Sequence, residues 1–186
     1  MFSEFLSEVV IDTDSPVIAR DVNDGFPEVK VINRPSHLTD GDTPMNDVLL
    51  HDVDLVQADY YFQTHSTNPL LKTDTIDKSI KKFMDQYPRY DSLFGVTLIQ
   101  NRLWDGLARP INHNPDILLR TQDLPPTYME NSCIYIFSGQ TLRLRHNRIG
   151  ERPLMFEINP LEAQDIDVET DFQIAEMIYQ QEWARN

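Results

Sequence analysis

Short apolar runs alternate with amphipathic segments along the chain, and this alternation limits the possible folds more than any other feature of the sequence. Runs rich in β-branched and aromatic residues predict strands at residues 9–11, 29–32, 59–63, 93–99, 133–137 and 154–158. Between two of these strands, Ile76, Ile80, Phe83 and Tyr87 are spaced by four, three and four residues, as on one helix face. Alternating strands and helices are typical of an α/β fold with a mostly parallel sheet.

Helix-start signals predict where the other helices begin. Ser, Thr and Asp residues in front of helical patterns are typical N-caps, and proline is favoured at the first helical position. The predicted starts are Pro16 after the turn of residues 12–15, Pro44 after Thr43, the cap residue Thr73, and Thr170 or Asp171. A short basic helix is predicted at residues 141–146.

The length of 186 residues is enough for one domain with a substantial core, so we expect a single domain over residues 1–186. Within it, residues 101–126 are expected to form a hairpin arm, because Asp105-Gly106 is a hairpin signal and a polar, proline-containing stretch follows. Such an excursion usually serves as a lid or a partner-binding arm. Trp104 and Leu107 are candidate anchors for a homodimer; the alternative is a hairpin folded back on its own core.

The charge balance excludes one class of partner. Sixteen Lys and Arg residues against 30 Asp and Glu give a net charge of −14, whereas a nucleic-acid surface needs a basic face. The single cysteine, Cys133, lies in an apolar run, which predicts a buried, inert thiol in a reducing, cytoplasmic setting. No stretch approaches the roughly 18 apolar residues of a membrane span, and no secretory signal is visible.

The common catalytic motifs are missing, which directs attention to one acidic pair. The sequence has no Gly-rich phosphate loop, nucleophile elbow, paired-Cys metal motif or closely spaced His pair. Asp165 and Asp167, at positions i and i+2 on an extended segment, place two carboxylates on the same side between an apolar strand and a helix. Such an oxygen-only pair suits Mg²⁺ with a bound phosphate. The alternative is a solvated turn with a helix cap.

Five segments carry a further pattern. Residues 61–71 place Gln63 at a strand end before a Thr-x-Pro-Leu turn, and the acidic pair is followed by Asp171-Phe172. The other segments are residues 10–14; Arg34-Pro35 with Leu38 and Thr43; and Gln122-Asp123-Leu124-Pro125 followed by Glu130-Asn131-Ser132 and Tyr135-Ile136. Together and in this order, they resemble the acylneuraminate cytidylyltransferase (CMP-N-acetylneuraminic acid synthetase) family.

The resemblance implies a three-layer, Rossmann-like fold of the nucleotide-diphospho-sugar transferase type, with Mg²⁺ as cofactor. It implies that CTP and a nine-carbon α-keto sugar acid (sialic acid or a related nonulosonate) give a CMP-sugar and pyrophosphate, the anomeric hydroxyl attacking the α-phosphate. Catalysis of this kind rests on positioning and on charge neutralisation by the metal.

Seven residues receive roles from the resemblance. They are Asp165 and Asp167 as catalytic metal ligands, Arg34 and Asn46 on the nucleotide, and Gln63, Arg120 and Asn131 on the sugar acid. Simpler interpretations stay open: a surface turn for Arg34, backbone hydrogen bonding for Gln63, pairing with the acidic surface for Arg120, and a turn position for Asn131.

The chain departs from the family at its start. The family opens with a strand and an Arg-Gly-Gly-Ser-Lys-type loop that cradles the triphosphate, whereas residues 1–7 resemble the helix before the second strand. We therefore expect a truncated homologue with little or no CTP-activating activity. A fragment or misplaced start codon is favoured over half of a split protein or a genuine shortened homologue.

Two other functions stay open. One is a CMP-sugar synthetase for another α-keto sugar acid, such as the eight-carbon acid of lipopolysaccharide. The other is a non-catalytic module that binds a sugar, a nucleotide or a partner chain; the missing loop favours it, whereas the acidic pair and Gln63 favour the enzyme.

Overall fold

The structure is a computed structural model that describes the backbone of residues 3–183 and the side chains of residues 3–181. Strands and helices alternate along the chain. The strands are β1 (Val10–Thr13), β2 (Lys30–Asn33), β3 (Tyr61–Gln63), β4 (Ser92–Ile99), β5 (Thr127–Phe137) and β6 (Pro153–Glu157). The α-helices are α1 (Pro16–Gly25), α2 (Met45–Leu55), α3 (Thr73–Gln86), α4 (Gly139–Arg145) and α5 (Glu169–Trp183), and 3₁₀ turns lie at Ser36–Leu38 and Thr121–Asp123.

The strands form two sheets in the described part of the chain. β1 and β2 pair in parallel, and a four-stranded sheet has the order β3-β5-β4-β6. The chain also divides into two compact units. The first unit comprises Met1–Gln63, Lys72–Leu93 and Ile134–Leu154, and the second comprises Thr64–Leu71, Phe94–Cys133 and Met155–Asn186.

In the first unit, two strand pairings place the residues that matter below. The parallel pairing of β1 and β2 sets Asp12 opposite Ile32, one residue before the end of each strand. The antiparallel pairing of β3 and β5 sets Gln63 opposite Tyr135. Directly paired residues of antiparallel strands project from the same face, so these two side chains are neighbours. Phe83, Tyr135 and Phe137 are fully buried in this unit.

In the second unit, the core includes Val96, Cys133 and Ile158, and the backbone N–H of Ile158 donates to the Val96 carbonyl at 2.9 Å. The Asp105-Gly106 signal does form a hairpin. Trp104 and Pro110 make an antiparallel bridge, and the Asp105 carboxylate caps the turn by accepting hydrogen bonds from the Arg109 backbone and side chain.

The structure corrects several predicted boundaries. Thr73 is the first residue of α3 and not its cap; the cap position falls on Lys72, whose side chain makes no capping bond. Helix α1 begins at Pro16, as predicted, and ends at Gly25. Strand β5 begins at Thr127, six residues early, because its first half is polar and largely exposed and therefore lacks the apolar signal. Residues 3–7 form turns and not a helix, and residues 1–2 lie outside the described range.

Other predictions are confirmed. Ser15 is the N-cap of α1, where its Oγ accepts a hydrogen bond from the Ile18 N–H at 3.4 Å, and Pro16 follows at the first helical position. Cys133 is buried, as its apolar surroundings predict. Among the described helices, none combines the length and the apolar composition that crossing a membrane requires.

Candidate functional site

Asp165 and Asp167 lie in the loop between β6 and α5, at the strand-to-helix junction where the sequence places them. Asp165 is half-buried and Asp167 is exposed. The helix cap in this loop comes from Asp171, whose Oδ2 accepts the backbone N–H groups of Asp167 at 3.1 Å and Val168 at 3.0 Å. In the described part of the chain, no residue donates a hydrogen bond to the Asp167 carboxylate. The pair is therefore not required for capping.

The turn that follows β3 contacts this acidic loop within the second unit. The Ile166 N–H donates to the Thr67 carbonyl at 3.0 Å, and the Asn68 Nδ2 donates to the Gln164 carbonyl at 3.4 Å. Asn68 is only 4% exposed, so the turn packs closely against the loop. Two of the five sequence segments that define the resemblance are thus direct neighbours, and the turn fixes the backbone on both sides of Asp165.

Cys133 lies close enough to the acidic loop for its ionisation to be affected. Burial raises the pKa of the Cys133 thiol to about 12, and the negative charges of Asp165 and Glu162 add to the shift. The thiol is therefore neutral at physiological pH and is not a nucleophile. This agrees with the inert thiol expected from the sequence.

The donor set in this loop matches one type of magnesium site. Among the described residues, no group of three or more His, Cys, Asp or Glu side chains is arranged to hold a metal ion. An all-protein cage, as for a tightly held calcium or zinc ion, is thus not available there. Mg²⁺ commonly binds through one or two carboxylates, several waters and the phosphates of a substrate, and Asp165 and Asp167 could supply such carboxylates.

Asn131 and Arg120, the other site candidates in the second unit, have partners within it. The Asn131 Nδ2 donates to the Thr97 Oγ1 at 3.0 Å, and its Oδ1 accepts the Cys133 backbone N–H at 3.3 Å, so both ends of this buried amide are engaged. The Arg120 guanidinium makes two hydrogen bonds to Asp123, at 2.7 and 3.1 Å, and its side chain is 72% exposed. The pairing of Arg120 with an acidic neighbour is the simpler interpretation considered above.

Arg34, in the first unit, is half-buried in a carboxylate cluster. Its Nε donates to the Asp12 Oδ1 at 2.9 Å. The Asp12 Oδ2 and the Asp52 Oδ1 are both buried without a hydrogen-bond partner. Burial, together with the neighbouring Asp12 carboxyl group, raises the pKa of Asp52 to about 7, whereas the charge of Arg34 lowers it. Arg34 is thus held in place from one side, with its Nη groups left for a ligand.

Gln63 and Asn46 are brought together by a residue that the sequence did not single out. The Arg148 Nη1 donates to the Gln63 Oε1 at 2.7 Å, and the Arg148 backbone N–H donates to the Asn46 Oδ1 at 3.3 Å. The Arg148 guanidinium also lies over the Tyr135 ring, 3.5 Å from its centroid. Arg148 is in a polar turn after α4, and no sequence pattern links it to Gln63, which pairs with Tyr135 in the sheet.

A comparison with known proteins gives the family. The profile described as "Cytidylyltransferase" matches residues 2–186, nearly the whole sequence. This chain belongs to the cytidylyltransferase family. One curated relative, N-acylneuraminate cytidylyltransferase A of Danio rerio, is 28% identical over 127 residues, which are 64% of this chain. The match spans only 29% of the length of that relative.

Two solved structures have a fold similar to that of this chain. CMP:2-keto-3-deoxy-manno-octonic acid synthetase, complexed with CTP, has a TM-score of 0.62 at 13% identity and matches 97% of this chain and 83% of its own. The 4-diphosphocytidyl-2C-methyl-D-erythritol synthase of Anaerococcus prevotii has a TM-score of 0.66 at 10% identity, with coverages of 95% and 80%. At these identities the likeness concerns the fold alone, and it confirms the predicted α/β architecture with a mostly parallel sheet.

Proposed function

We propose that this cytidylyltransferase activates a sialic-type nonulosonic acid. The anomeric hydroxyl oxygen of the sugar acid bonds to the α-phosphorus of CTP, the bond from that phosphorus to the bridging oxygen breaks, and pyrophosphate leaves. The hydroxyl proton passes to solvent. The family membership supports the use of CTP, and the zebrafish relative supports the sialic class of acceptor.

The proposal is based on the hydrogen bonding of the acidic loop between β6 and α5, which contains Asp165 and Asp167. Its backbone is fixed by Thr67 and Asn68, and its helix is capped by Asp171, yet the Asp167 carboxylate has no donor in the described part of the chain. A held but unengaged carboxylate beside a second one suits a cation that arrives with a nucleotide. Mg²⁺ would neutralise phosphate charge there, with Asp165 and Asp167 as its protein ligands.

The remaining roles follow the chemistry of each side chain. Arg34, whose Nε is taken by Asp12, has Nη donors for the cytosine or ribose side of the nucleotide, and Asn46 would contact the ribose. Gln63 would hydrogen-bond the sugar acid. Asn131 supports the site through Thr97 and Cys133, and Arg120 reaches the sugar acid only by leaving Asp123.

Pyrophosphate release from CTP tests the proposal. The reaction contains Mg²⁺ and either N-acetylneuraminic acid or the eight-carbon keto acid. Any longer product of the gene is assayed in parallel with these 186 residues. Asp167→Asn is expected to lower turnover on the order of 100-fold or more, as for a lost ligand to a catalytic cation.

The matched control is Asp116→Asn, an exposed carboxylate of the arm in the same unit. It removes the same charge and should keep wild-type turnover. Sialic acid should be preferred to the eight-carbon acid. Absence of pyrophosphate release with every acid in both proteins, or full activity of Asp167→Asn, would refute the proposed function.

A homodimer is the second part of the proposal. The hairpin exposes apolar side chains, with Leu107 at 74% and Trp104 at 50% exposure, and such residues are typical anchors of an interface. The contact of Trp104 with His113, at 4.8 Å between ring centroids, supports the alternative in which part of the hairpin packs on its own unit. A dimer would bury the tip of the hairpin.

A further inference from the structure

Arg148 is fixed by three contacts within the first unit. Its guanidinium stacks on the buried Tyr135 ring at 3.5 Å, its Nη1 donates to Gln63 at 2.7 Å, and its backbone N–H donates to Asn46 at 3.3 Å. Stacking and one strong hydrogen bond determine both the plane of the guanidinium and its rotation within that plane. A side chain with this many rotatable bonds is seldom so constrained at a surface without a use.

Arg148 has no ion-pair partner among the described residues. Five other arginines of this acidic chain have a carboxylate within ion-pair distance: Arg34, Arg109, Arg120, Arg143 and Arg145. Arg148 is half-buried, and among the described residues no carboxylate lies within 4.0 Å of it. A cation that is partly removed from water and unpaired attracts an anion from solution.

The N–H groups of the Arg148 guanidinium that are not bonded to Gln63 have a geometry that favours one kind of anion. Gln63 engages Nη1, so the edge formed by Nε and Nη2 remains open. Two parallel N–H groups on one edge of a planar guanidinium match the two oxygens of a carboxylate. Arg120, the residue that the sequence suggests for such a group, already uses its Nε and Nη2 on Asp123.

We infer that Arg148 binds the carboxylate of the sugar acid, with Tyr135 and Gln63 as positioning residues. The inference rests on the proposed function for the identity of the acid. The competing source of an oxyanion is the phosphate chain of CTP, and the two sources predict different kinetic effects.

Arg148→Lys and Arg148→Met separate these sources. Both are expected to raise KM for N-acetylneuraminic acid on the order of tenfold or more, with KM for CTP changed less than about twofold. The methyl ester of the acid, which lacks the charge, should bind the wild type and Arg148→Met with similar affinity. Arg145→Met is the control. Arg145 lies three residues before Arg148 in the sequence and is paired with Glu151, so its loss should leave both KM values unchanged.

A binding measurement tests the role of Arg148 without requiring catalytic turnover. Saturation-transfer NMR with N-acetylneuraminic acid should show binding to the wild type and loss of that signal in Arg148→Met, with circular dichroism confirming that the variant is folded. If turnover occurs and KM for the acid is unchanged in both variants, the inference fails while the proposed function stands. A rise in KM for CTP alone would assign Arg148 to phosphate and overturn the inference.

The remaining outcomes separate the two proposals further. Binding of the acid that depends on Arg148, without turnover in either protein, would support the inference and refute the proposed function. Absence of both turnover and binding in the wild type would refute both.

Discussion

Asp12 and Asp52 form the most unusual ionisable pair in the first unit. Each has one buried carboxylate oxygen that receives no hydrogen bond from the described residues. Arg34 favours the charged form of Asp52, whereas burial favours its protonated form, and burial is the larger effect on the pKa of Asp52. The Asp12 carboxylate accepts the hydrogen bond that holds Arg34 in place.

Asp52→Asn should remove a pH dependence from the free energy of unfolding. The pKa of Asp52 is raised from 3.8 to about 7 in the folded chain, so the stability from its proton is complete below about pH 4. That stability is lost as the pH rises through about 7. The variant should match the wild type more closely at pH 5 and exceed its stability at pH 8, as measured by urea unfolding.

Asp54→Asn is the control for this measurement. Asp54 lies on the same helix but at the surface, where it pairs with Arg143. It should keep the wild-type pH dependence between pH 5 and pH 8. Identical slopes for Asp52→Asn and the wild type would show that the pKa of Asp52 is not raised in the folded chain.

Cys133 should not react in the folded protein. Burial, assisted by Asp165 and Glu162, raises the pKa of the thiol to about 12, so the thiolate fraction at pH 8 is on the order of one in ten thousand. Labelling with a chromogenic disulfide reagent at pH 8 should be slow in buffer and rapid in 6 M urea. Rapid stoichiometric labelling of the folded chain would contradict the buried position.

At the scale of elements, Asp171 and Asp167, at the junction of β6 and α5, are expected to have different roles: Asp171 in stability and Asp167 in function. Asp171 serves the helix, because its carboxylate accepts two N–H groups at the N-terminus, whereas Asp167 has no such task. The two side chains are four residues apart and carry the same charge. They are a matched pair for mutation.

Asp171→Ala should destabilise the protein by about 1 kcal/mol, the usual effect of losing a helix cap and a favourable charge at the helix N-terminus. Asp167→Ala should change the free energy of unfolding by less than about 0.5 kcal/mol. Urea unfolding of both variants measures the difference. Equal losses of stability would mean that Asp167 is a structural residue.

The elements show which parts of the fold the sequence can predict. The spacing of Ile76, Ile80 and Phe83 predicts α3 because burial on one helix face leaves a periodic pattern. The polar half of β5 leaves no such pattern, since its pairing and not its hydrophobicity makes it a strand. Arg148 was missed for a related reason: no sequence pattern links it to Gln63, which pairs with Tyr135 in the sheet.

At the scale of the whole molecule, the family and the α/β fold were predictable, whereas the engagement of single residues was not. The sequence contains the motif residues in family order, and the family profile covers residues 2–186. Whether an arginine is free depends on its neighbours in space. Arg120 and Arg148 are the same residue type in the sequence, yet of these two only Arg120 has a carboxylate within ion-pair distance in the described structure.

The hairpin supplies the test of assembly. If it joins two copies, size-exclusion chromatography with light scattering should give twice the monomer mass of 21.7 kDa, and Leu107→Asp should give monomers. A charge introduced into a desolvated anchor position typically costs several kcal/mol of association free energy. Leu144→Asp, at a position of α4 that is 76% exposed, is the control and should leave the mass unchanged. A monomeric wild type at high concentration would contradict the proposed dimer.

The proposed formation of a CMP-sugar can be followed by ³¹P NMR. CTP, N-acetylneuraminic acid and Mg²⁺ are incubated with the chain and with any longer product of its gene. We predict a phosphodiester resonance and pyrophosphate, formed in equal amounts as the CTP signals decrease, and neither in the Asp167→Asn variant. Unchanged CTP in both proteins, or its conversion only to CDP and phosphate, would contradict the assignment.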